Sequence, residues 1–191
     1  MKIMLLGYKN VGKTAFLKKY CINNHASKNT IGIELYKYYY FLKNNIHTIT
    51  FYDTSSDKIY YDLIKTYAIT VDLILLFVDV SNYSSLINIS QYNNLIKNKK
   101  VFIICNKIDK SYNKIYIKNH IQKLITRYNY ISEYYISVKN GNGIEKLINY
   151  CIMSYYINDL PIYNFLKKKE DKRNNCICYY IKNVCNKRNI S

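Results

Sequence analysis

The sequence predicts an α/β fold in which helices cover both faces of a mainly parallel β-sheet. Short apolar runs alternate with amphipathic stretches of helical period, and two of the runs are apolar throughout, as in strands buried on both faces. One further pair of runs predicts a hairpin that adds an antiparallel edge. Ligands of such folds bind at the carboxyl ends of the strands, so functional side chains are expected there.

The predicted elements follow in order along the first 157 residues. Predicted strands occupy residues 2–6, 34–42, 46–52, 73–80, 101–105 and 131–138. Predicted helices occupy residues 13–22, 83–97, 114–128 and 143–157. Asn44-Asn45 is expected to form the hairpin turn. One apolar face is predicted for the last helix, made by Ile144, Leu147, Ile148 and Cys151.

Length and composition suit one domain and a tail. The chain has 191 residues, and after Pro161 a basic, Asn-rich segment without clear periodicity begins. We therefore expect a domain over residues 1–160 and a basic tail over residues 161–191. The net charge of +17 favours an acidic partner. The charge is weak evidence about partners, because AT-rich base composition can itself produce a Lys-rich chain. Four residue types with AT-rich codons (Lys, Asn, Ile and Tyr) make up 105 of the 191 residues.

Cysteine usage and hydropathy indicate an intracellular chain. The first apolar run is too short for a signal peptide, and the longest, residues 73–78, is too short to span a membrane. The six cysteines are thus expected to be reduced thiols. They form no Cys-x-x-Cys pair and the three histidines are scattered, which argues against a structural zinc site.

Residues 7–14 fit the phosphate-binding pattern G-x-x-x-x-G-K-[ST], directly after a predicted strand and at the start of a helix. Glycines let successive backbone N–H groups point at a phosphate, and the helix N-terminus adds positive potential. Lys13 would reach the β- and γ-phosphates, and the Thr14 hydroxyl would bind Mg²⁺. The composition predicts roughly 0.002 chance matches. The alternative is a strand–helix turn without a ligand.

A second motif, Asn106-Lys107-Ile108-Asp109, follows the buried strand 101–105. A carboxylate at Asp109 could accept from both N1–H and the 2-amino group of guanine, which adenine does not offer. The stem of Lys107 could cover the base plane, and Ser137-Val138-Lys139 would form a third wall. The alternative is that Asp109 caps the helix that follows.

Together these motifs resemble the Ras superfamily of small GTPases, most closely its Rab branch, over roughly residues 1–158. Thr30-Ile31-Gly32-Ile33-Glu34 is similar to the Rab-type first switch, and Asp53 matches the carboxylate that holds Mg²⁺ through water. The resemblance implies a three-layer P-loop NTPase G domain with a mostly parallel six-stranded sheet, one antiparallel edge strand and about five helices. It implies GTP/GDP and Mg²⁺ as ligands, with Thr14, Thr30 and Asp53 at the metal.

The resemblance also implies a set of nucleotide-binding residues. These are Asn10, Val11, Gly12, Lys13, Thr14, Ala15, Thr30, Asp53, Ser56, Asn106, Lys107, Asp109, Ser137, Val138 and Lys139. Within this set, Val138 would offer its N–H to the guanine carbonyl.

The departures from the family lie near the γ-phosphate. Ser56 replaces a glycine of the second switch, and Asp57 replaces the glutamine that orients the attacking water. Lys9 stands where small residues are usual, and the aromatic residue that flanks guanine is missing, with His25 the nearest ring. We expect nucleotide binding with very slow hydrolysis and assign no catalytic residue. Compensation by Lys9 or by the Ser56 hydroxyl stays open.

The resemblance implies a switch in membrane traffic. The segments 25–36 and 53–67 would meet effectors and exchange factors. One alternative is a nucleotide-locked interaction protein. Another is an ATP-using P-loop enzyme, which lacks support because the chain has only three arginines and no arginine cluster to bind a substrate phosphate. A nucleic-acid binder is disfavoured because no RNP-type or zinc pattern occurs.

The tail suggests membrane contact. S-acylation of Cys176, Cys178 or Cys185 beside the basic cluster would supply the two signals that stable anchoring needs. The alternative is free cysteines on a solvated tail. A cytoplasmic protein, peripheral on endomembranes, is the expectation.

Overall fold

The continuous apolar runs become the central strands of one six-stranded sheet. The computed structural model describes residues 1–22, 30–42 and 44–156. Its strands are β1 (Lys2–Gly7), β2 (Ile33–Leu42), β3 (Asn45–Thr54), β4 (Leu73–Asp79), β5 (Val101–Asn106) and β6 (Ser132–Tyr135). Every residue of β4 and β5 is buried, as expected of strands covered on both faces.

The strand order is β2-β3-β1-β4-β5-β6. β2 pairs antiparallel with β3, and all other neighbours pair parallel. This confirms the predicted mostly parallel sheet with one antiparallel edge strand.

Helices follow every strand except β2, which the hairpin joins directly to β3. They are α1 (Lys13–Tyr20), α2 (Tyr61–Ala68), α3 (Tyr83–Ile87), α4 (Asn93–Ile96), α5 (Lys114–Tyr128) and α6 (Ile144–Tyr155), with 3₁₀ turns at Lys58–Tyr60 and Asn88–Tyr92. Counting 83–96 as one interrupted segment, the described part of the chain has the predicted five helical segments.

Two apolar clusters form on the two faces of the sheet, which confirms the three-layer architecture. One cluster joins α1 and α6 to the sheet, and it contains Ile144, Leu147, Ile148 and Cys151 of the predicted apolar face. The other joins α2, α3, α4 and α5 to the opposite face, for example through Ile64, Leu86 and Ile121.

The prediction of one helix over residues 83–97 was wrong in detail. Short polar side chains bond to the local backbone there: Asn88 Nδ2 donates to Ser84 O, and Ser90 Oγ donates to Ile87 O. Such bonds compete with regular helical geometry, and residues 88–92 adopt a 3₁₀ turn.

The hairpin turn also lies one residue earlier than predicted. Leu42 pairs with Asn45, so Asn45 already belongs to β3. Asn44 has a φ of 66°, which Asn tolerates better than most residues. The last strand is shorter than the predicted 131–138, and helix α2 had no prediction of its own.

The carboxyl ends of β1, β3, β4 and β5 meet at one edge of the sheet, because these strands run parallel. Gly7, Thr54, Asp79 and Asn106 end these strands, and the candidate site is built around them. None of the helices described here is long and apolar enough to cross a membrane. The predicted tail, residues 161–191, and the predicted boundary at residue 160 lie outside the described residues.

Candidate functional site

The phosphate loop (residues 7–14) connects β1 to α1 in a conformation that requires glycine. Gly12 has a φ of 104°, and a Cβ on it would overlap the Asn106 side-chain nitrogen. Asn10 also has positive φ, at 62°. The loop therefore brings its backbone close to β5, and α1 begins directly after Gly12.

Lys13 is folded over the phosphate loop. Its Nζ donates to Gly7 O at 2.7 Å and to Tyr8 O at 3.3 Å, and the residue is 6% exposed. Burial lowers the pKa of Lys13 to about 8, and the charge of Asp53 opposes the shift. A buried ammonium whose contacts are carbonyls is suited to an anionic ligand that would complete its neutralisation.

Three oxygen-bearing side chains converge beside Lys13. Asp53 Oδ2 accepts from Thr14 Oγ1 at 2.6 Å and from Thr30 Oγ1 at 2.7 Å, and the two hydroxyls are 3.0 Å apart. Burial raises the pKa of Asp53, against the hydrogen bonds from the two threonines and the charge of Lys13.

Asp53 Oδ1 is buried and has no hydrogen-bond partner among the described residues. An unpaired buried carboxylate oxygen beside two hydroxyls is the donor set that a hard cation such as Mg²⁺ prefers. The three residues predicted at the metal thus fit it, although only Asp53 contributes a carboxylate.

Asn106, at the end of β5, links the phosphate loop to the base loop (residues 137–139). Its Nδ2 donates to Val11 O at 2.8 Å, and its Oδ1 accepts from Val138 N–H at 3.1 Å. Asn106 is 1% exposed, so both bonds are shielded from water. One partner only accepts and the other only donates, which defines the orientation of the amide.

Lys107 bonds to two further elements. Its Nζ donates to Asn10 O at 2.6 Å and lies 2.7 Å from Asp79 Oδ2. Burial raises the pKa of Asp79, but the bonds from Lys107 and Ser81 more than offset this and hold the pKa below its ordinary value. Sequence reasoning missed Asp79, although its place at the carboxyl end of a buried strand is a signal.

Asp109 is an exposed carboxylate anchored to the base loop. Its Oδ1 accepts from Ser137 Oγ at 2.6 Å, and this bond lowers the pKa of Asp109. Asp109 does not cap the next helix; Asn113 does, by accepting from Tyr116 N–H at 3.0 Å. An ionised, oriented carboxylate can accept two hydrogen bonds from a ligand.

The remaining predicted residues lie around this framework. Val138 N–H, predicted to meet guanine, is bonded to Asn106 here. Ala15 lies exposed in the first turn of α1, and Lys139 is exposed in the base loop. Residues 25–29 of the first switch segment, His25 among them, lie outside the described residues.

Of the three residues that depart from the family pattern, Asp57 caps a short turn. Asp57 Oδ1 accepts from Ile59 N–H at 3.2 Å and so caps the turn 58–60. Ser56 and Lys9 are exposed. Ser55 N–H donates to Gly32 O at 2.8 Å, which joins the two switch segments through their backbones.

Lys19 is a residue at the site that no motif indicated. It lies in the last turn of α1, and its Nζ donates to Val138 O at 2.8 Å and to Lys139 O at 2.7 Å. More than a hundred residues separate these partners in sequence, so only the folded chain reveals the contact.

Comparison with known proteins finds sequence similarity to Ras-like GTPases. Residues 2–109 match the family described as Ras of Complex, Roc, domain of DAPkinase. The chain is 26% identical to "Ras-related protein Rab-32D" of Dictyostelium discoideum over 78% of this chain and 70% of the relative. It is 25% identical to "Ras-related protein Rab-7B" of the same organism over 93% of this chain and 96% of the relative. With its P-loop architecture and more than half its length matched by the Roc family, the chain is a divergent, Rab-like member of the Ras superfamily of GTPases.

Proposed function

We propose that this protein is a GTP/GDP-binding switch. The observation that carries the proposal is the buried Asn106 side chain, which joins the phosphate loop to the base loop. A triphosphate bound over Lys13 would therefore have its base next to Asp109 and Ser137. This arrangement combines phosphate binding with a carboxylate that selects guanine over adenine.

In this proposal Thr14, Thr30 and Asp53 hold Mg²⁺, which would neutralise charge on the phosphate oxygens. Lys13 supplies a second positive charge. The first switch segment contributes Thr30 to the same oxygen cluster, so ligand binding there is coupled to that segment.

The test is the nucleotide content of purified protein, with and without EDTA. Guanine nucleotide should co-purify, leave on chelation of Mg²⁺ and be displaced by GTP but not by ATP. Equal competition by ATP would instead support an ATP-using P-loop enzyme. Protein that is empty and ignores added GDP with Mg²⁺ would contradict the proposal.

We further propose that intrinsic GTP hydrolysis is slow. Asp57 stands at the position of the water-orienting glutamine, and its carboxylate is occupied in capping the turn 58–60. An ionised carboxylate there has no hydrogen to donate to the attacking water. Its negative charge also repels the negatively charged phosphate. Ser56 lacks the flexibility of the usual glycine.

Single-turnover hydrolysis by the wild type and two variants tests this second proposal. Asp57→Asn keeps a capping oxygen and removes the charge, whereas Asp57→Gln restores the family side chain. We expect a severalfold increase for Asp57→Asn and a larger one for Asp57→Gln. An ordinary family rate in the wild type, unchanged in both variants, would contradict slow hydrolysis and leave compensation by Lys9 or Ser56 as the alternative. Nucleotide retained without turnover in all three proteins would favour a nucleotide-locked interaction protein.

The Rab-type relatives support a role in membrane traffic. In this proposal residues 1–160 form the GTPase domain, segments 25–36 and 53–67 meet effectors and exchange factors, and the basic tail 161–191 contacts an anionic membrane from the cytoplasm. Detergent phase partitioning of protein from native cells should recover the wild type in the detergent phase. The Cys176→Ser/Cys178→Ser/Cys185→Ser variant should be recovered in the aqueous phase. Unchanged partitioning of the variant would exclude lipidation of these cysteines.

A further inference from the structure

The side chain of Lys19 reaches from α1 to the base loop. Its Nζ donates to Val138 O at 2.8 Å and to Lys139 O at 2.7 Å, and it lies 5.7 Å from the centre of the Tyr20 ring. Two charge-assisted bonds from one ammonium restrain both carbonyls. The backbone of the base loop is therefore held from the side of α1.

Restraining a carbonyl also directs an N–H group. In a trans peptide the C=O and N–H point in opposite directions, so the bond from Lys19 to Val138 O directs the Lys139 N–H away from α1. The neighbouring Val138 N–H already donates to Asn106 Oδ1. The donors of this loop are thus aligned by two side chains from different elements, Lys19 and Asn106.

We propose that Lys19 is a positioning residue for recognition of the purine 6-oxygen. It does not touch the base; it holds the peptide group whose Lys139 N–H would meet that oxygen. This inference rests on the proposed binding of guanine nucleotides. It separates recognition into two parts, with Asp109 reading the N1–H and 2-amino group and the loop held by Lys19 reading the 6-oxygen.

The test compares dissociation rates of three nucleotides in the presence of Mg²⁺. GDP carries all the groups, IDP lacks the 2-amino group, and 6-thio-GDP replaces the 6-oxygen by sulfur, a weaker acceptor. The proteins are the wild type, Lys19→Met, Lys19→Arg and the control Lys118→Met, which changes an exposed lysine of α5. Thermal unfolding of each GDP complex confirms that it is folded.

Lys19→Met should release GDP about five to ten times faster than the wild type, the effect of losing about one hydrogen bond. The ratio of 6-thio-GDP to GDP release should fall towards one, while the ratio of IDP to GDP release stays at its wild-type value. Lys19→Arg, which can still donate to both carbonyls, and Lys118→Met should stay within about twofold of the wild type.

Two results would overturn the inference. One is wild-type behaviour of Lys19→Met for all three nucleotides. The other is faster release with both ratios unchanged or both reduced together, which would show general loosening of the domain rather than a defect at the 6-oxygen. A wild type that retains none of the nucleotides would instead overturn the proposed function itself.

Discussion

The Asn106 side chain makes two buried hydrogen bonds, one as donor and one as acceptor. Together they connect two loops that are distant in sequence. Val11 lies in the phosphate loop and Val138 in the base loop, 127 residues apart. Because Gly12 lacks a Cβ, the amide can approach the loop closely. The two halves of the site are thus connected by one buried polar group.

Replacement of Asn106 by Ala should destabilise the protein by about 2–4 kcal/mol, because it leaves a buried carbonyl and a buried N–H unpaired. GDP release should also become faster. Urea unfolding measures the first effect, with Asn119→Ala, on the exposed side of α5, as the control. A loss no larger than that of the control would contradict the bridging role.

Lys13 leads to a prediction on pH. Its pKa in the folded protein, about 8, lies below the ordinary 10.5, because burial disfavours the charged form. Phosphate binding favours the ammonium and so raises this pKa, which means that nucleotide binding takes up a proton and weakens as the pH rises through 8.

Calorimetry in two buffers of different ionisation enthalpy should show uptake of about half a proton per GDP at pH 8, against about 0.1 at pH 7. Proton release at pH 8, or an uptake independent of pH, would contradict the assignment to Lys13.

Short helices and turns, rather than the long strands, were the hardest elements to predict. β4 and β5 are continuous apolar runs, and polar residues such as Asn106 mark their ends, so the sheet and the edge that carries the site follow from pattern alone. The segment 83–97 has the apolar spacing of a helix, but its Ser and Asn side chains bond to nearby backbone and interrupt it. Contacts across the chain, such as Lys19 with Val138, have no local pattern.

The capped turn before α2 is open to a direct test. Asp57→Ala removes the acceptor of the Ile59 N–H, which should cost about 1 kcal/mol and increase the exchange of that amide severalfold. Asp57→Asn should retain slow exchange. The measurement is amide hydrogen exchange by NMR, and Asp62→Ala in the first turn of α2 is the control. Equal exchange in the Ala and Asn variants would show that Asp57 does not act as a cap.

The molecule as a whole depends on two apolar layers that hold helices to opposite faces of one sheet. In the layer under α1, Phe16 is fully buried and its ring lies 6.0 Å from that of Phe51 and 5.7 Å from that of Phe77. Phe16 is two residues from Thr14, so the packing that holds α1 also places Thr14 beside Asp53 and Thr30.

Phe16→Ala should lower the free energy of unfolding by about 3–4 kcal/mol, since it removes a fully buried ring and leaves a cavity. Phe41→Ala, at a β2 side chain that is 37% exposed, should cost less than about 1 kcal/mol. Urea denaturation of both variants tests this, and similar losses would contradict the assignment of the core.

The hydroxyl of Tyr156 bonds to Tyr40 OH at 3.2 Å and to His47 Nδ1 at 3.3 Å, at the hairpin end of the sheet. That end is remote from the edge where Gly7 and Asn106 terminate their strands. The last described residue, Tyr156, therefore lies at the opposite end of the sheet from the candidate site. A molecule that contacts the candidate site would approach this domain from the end opposite Tyr156.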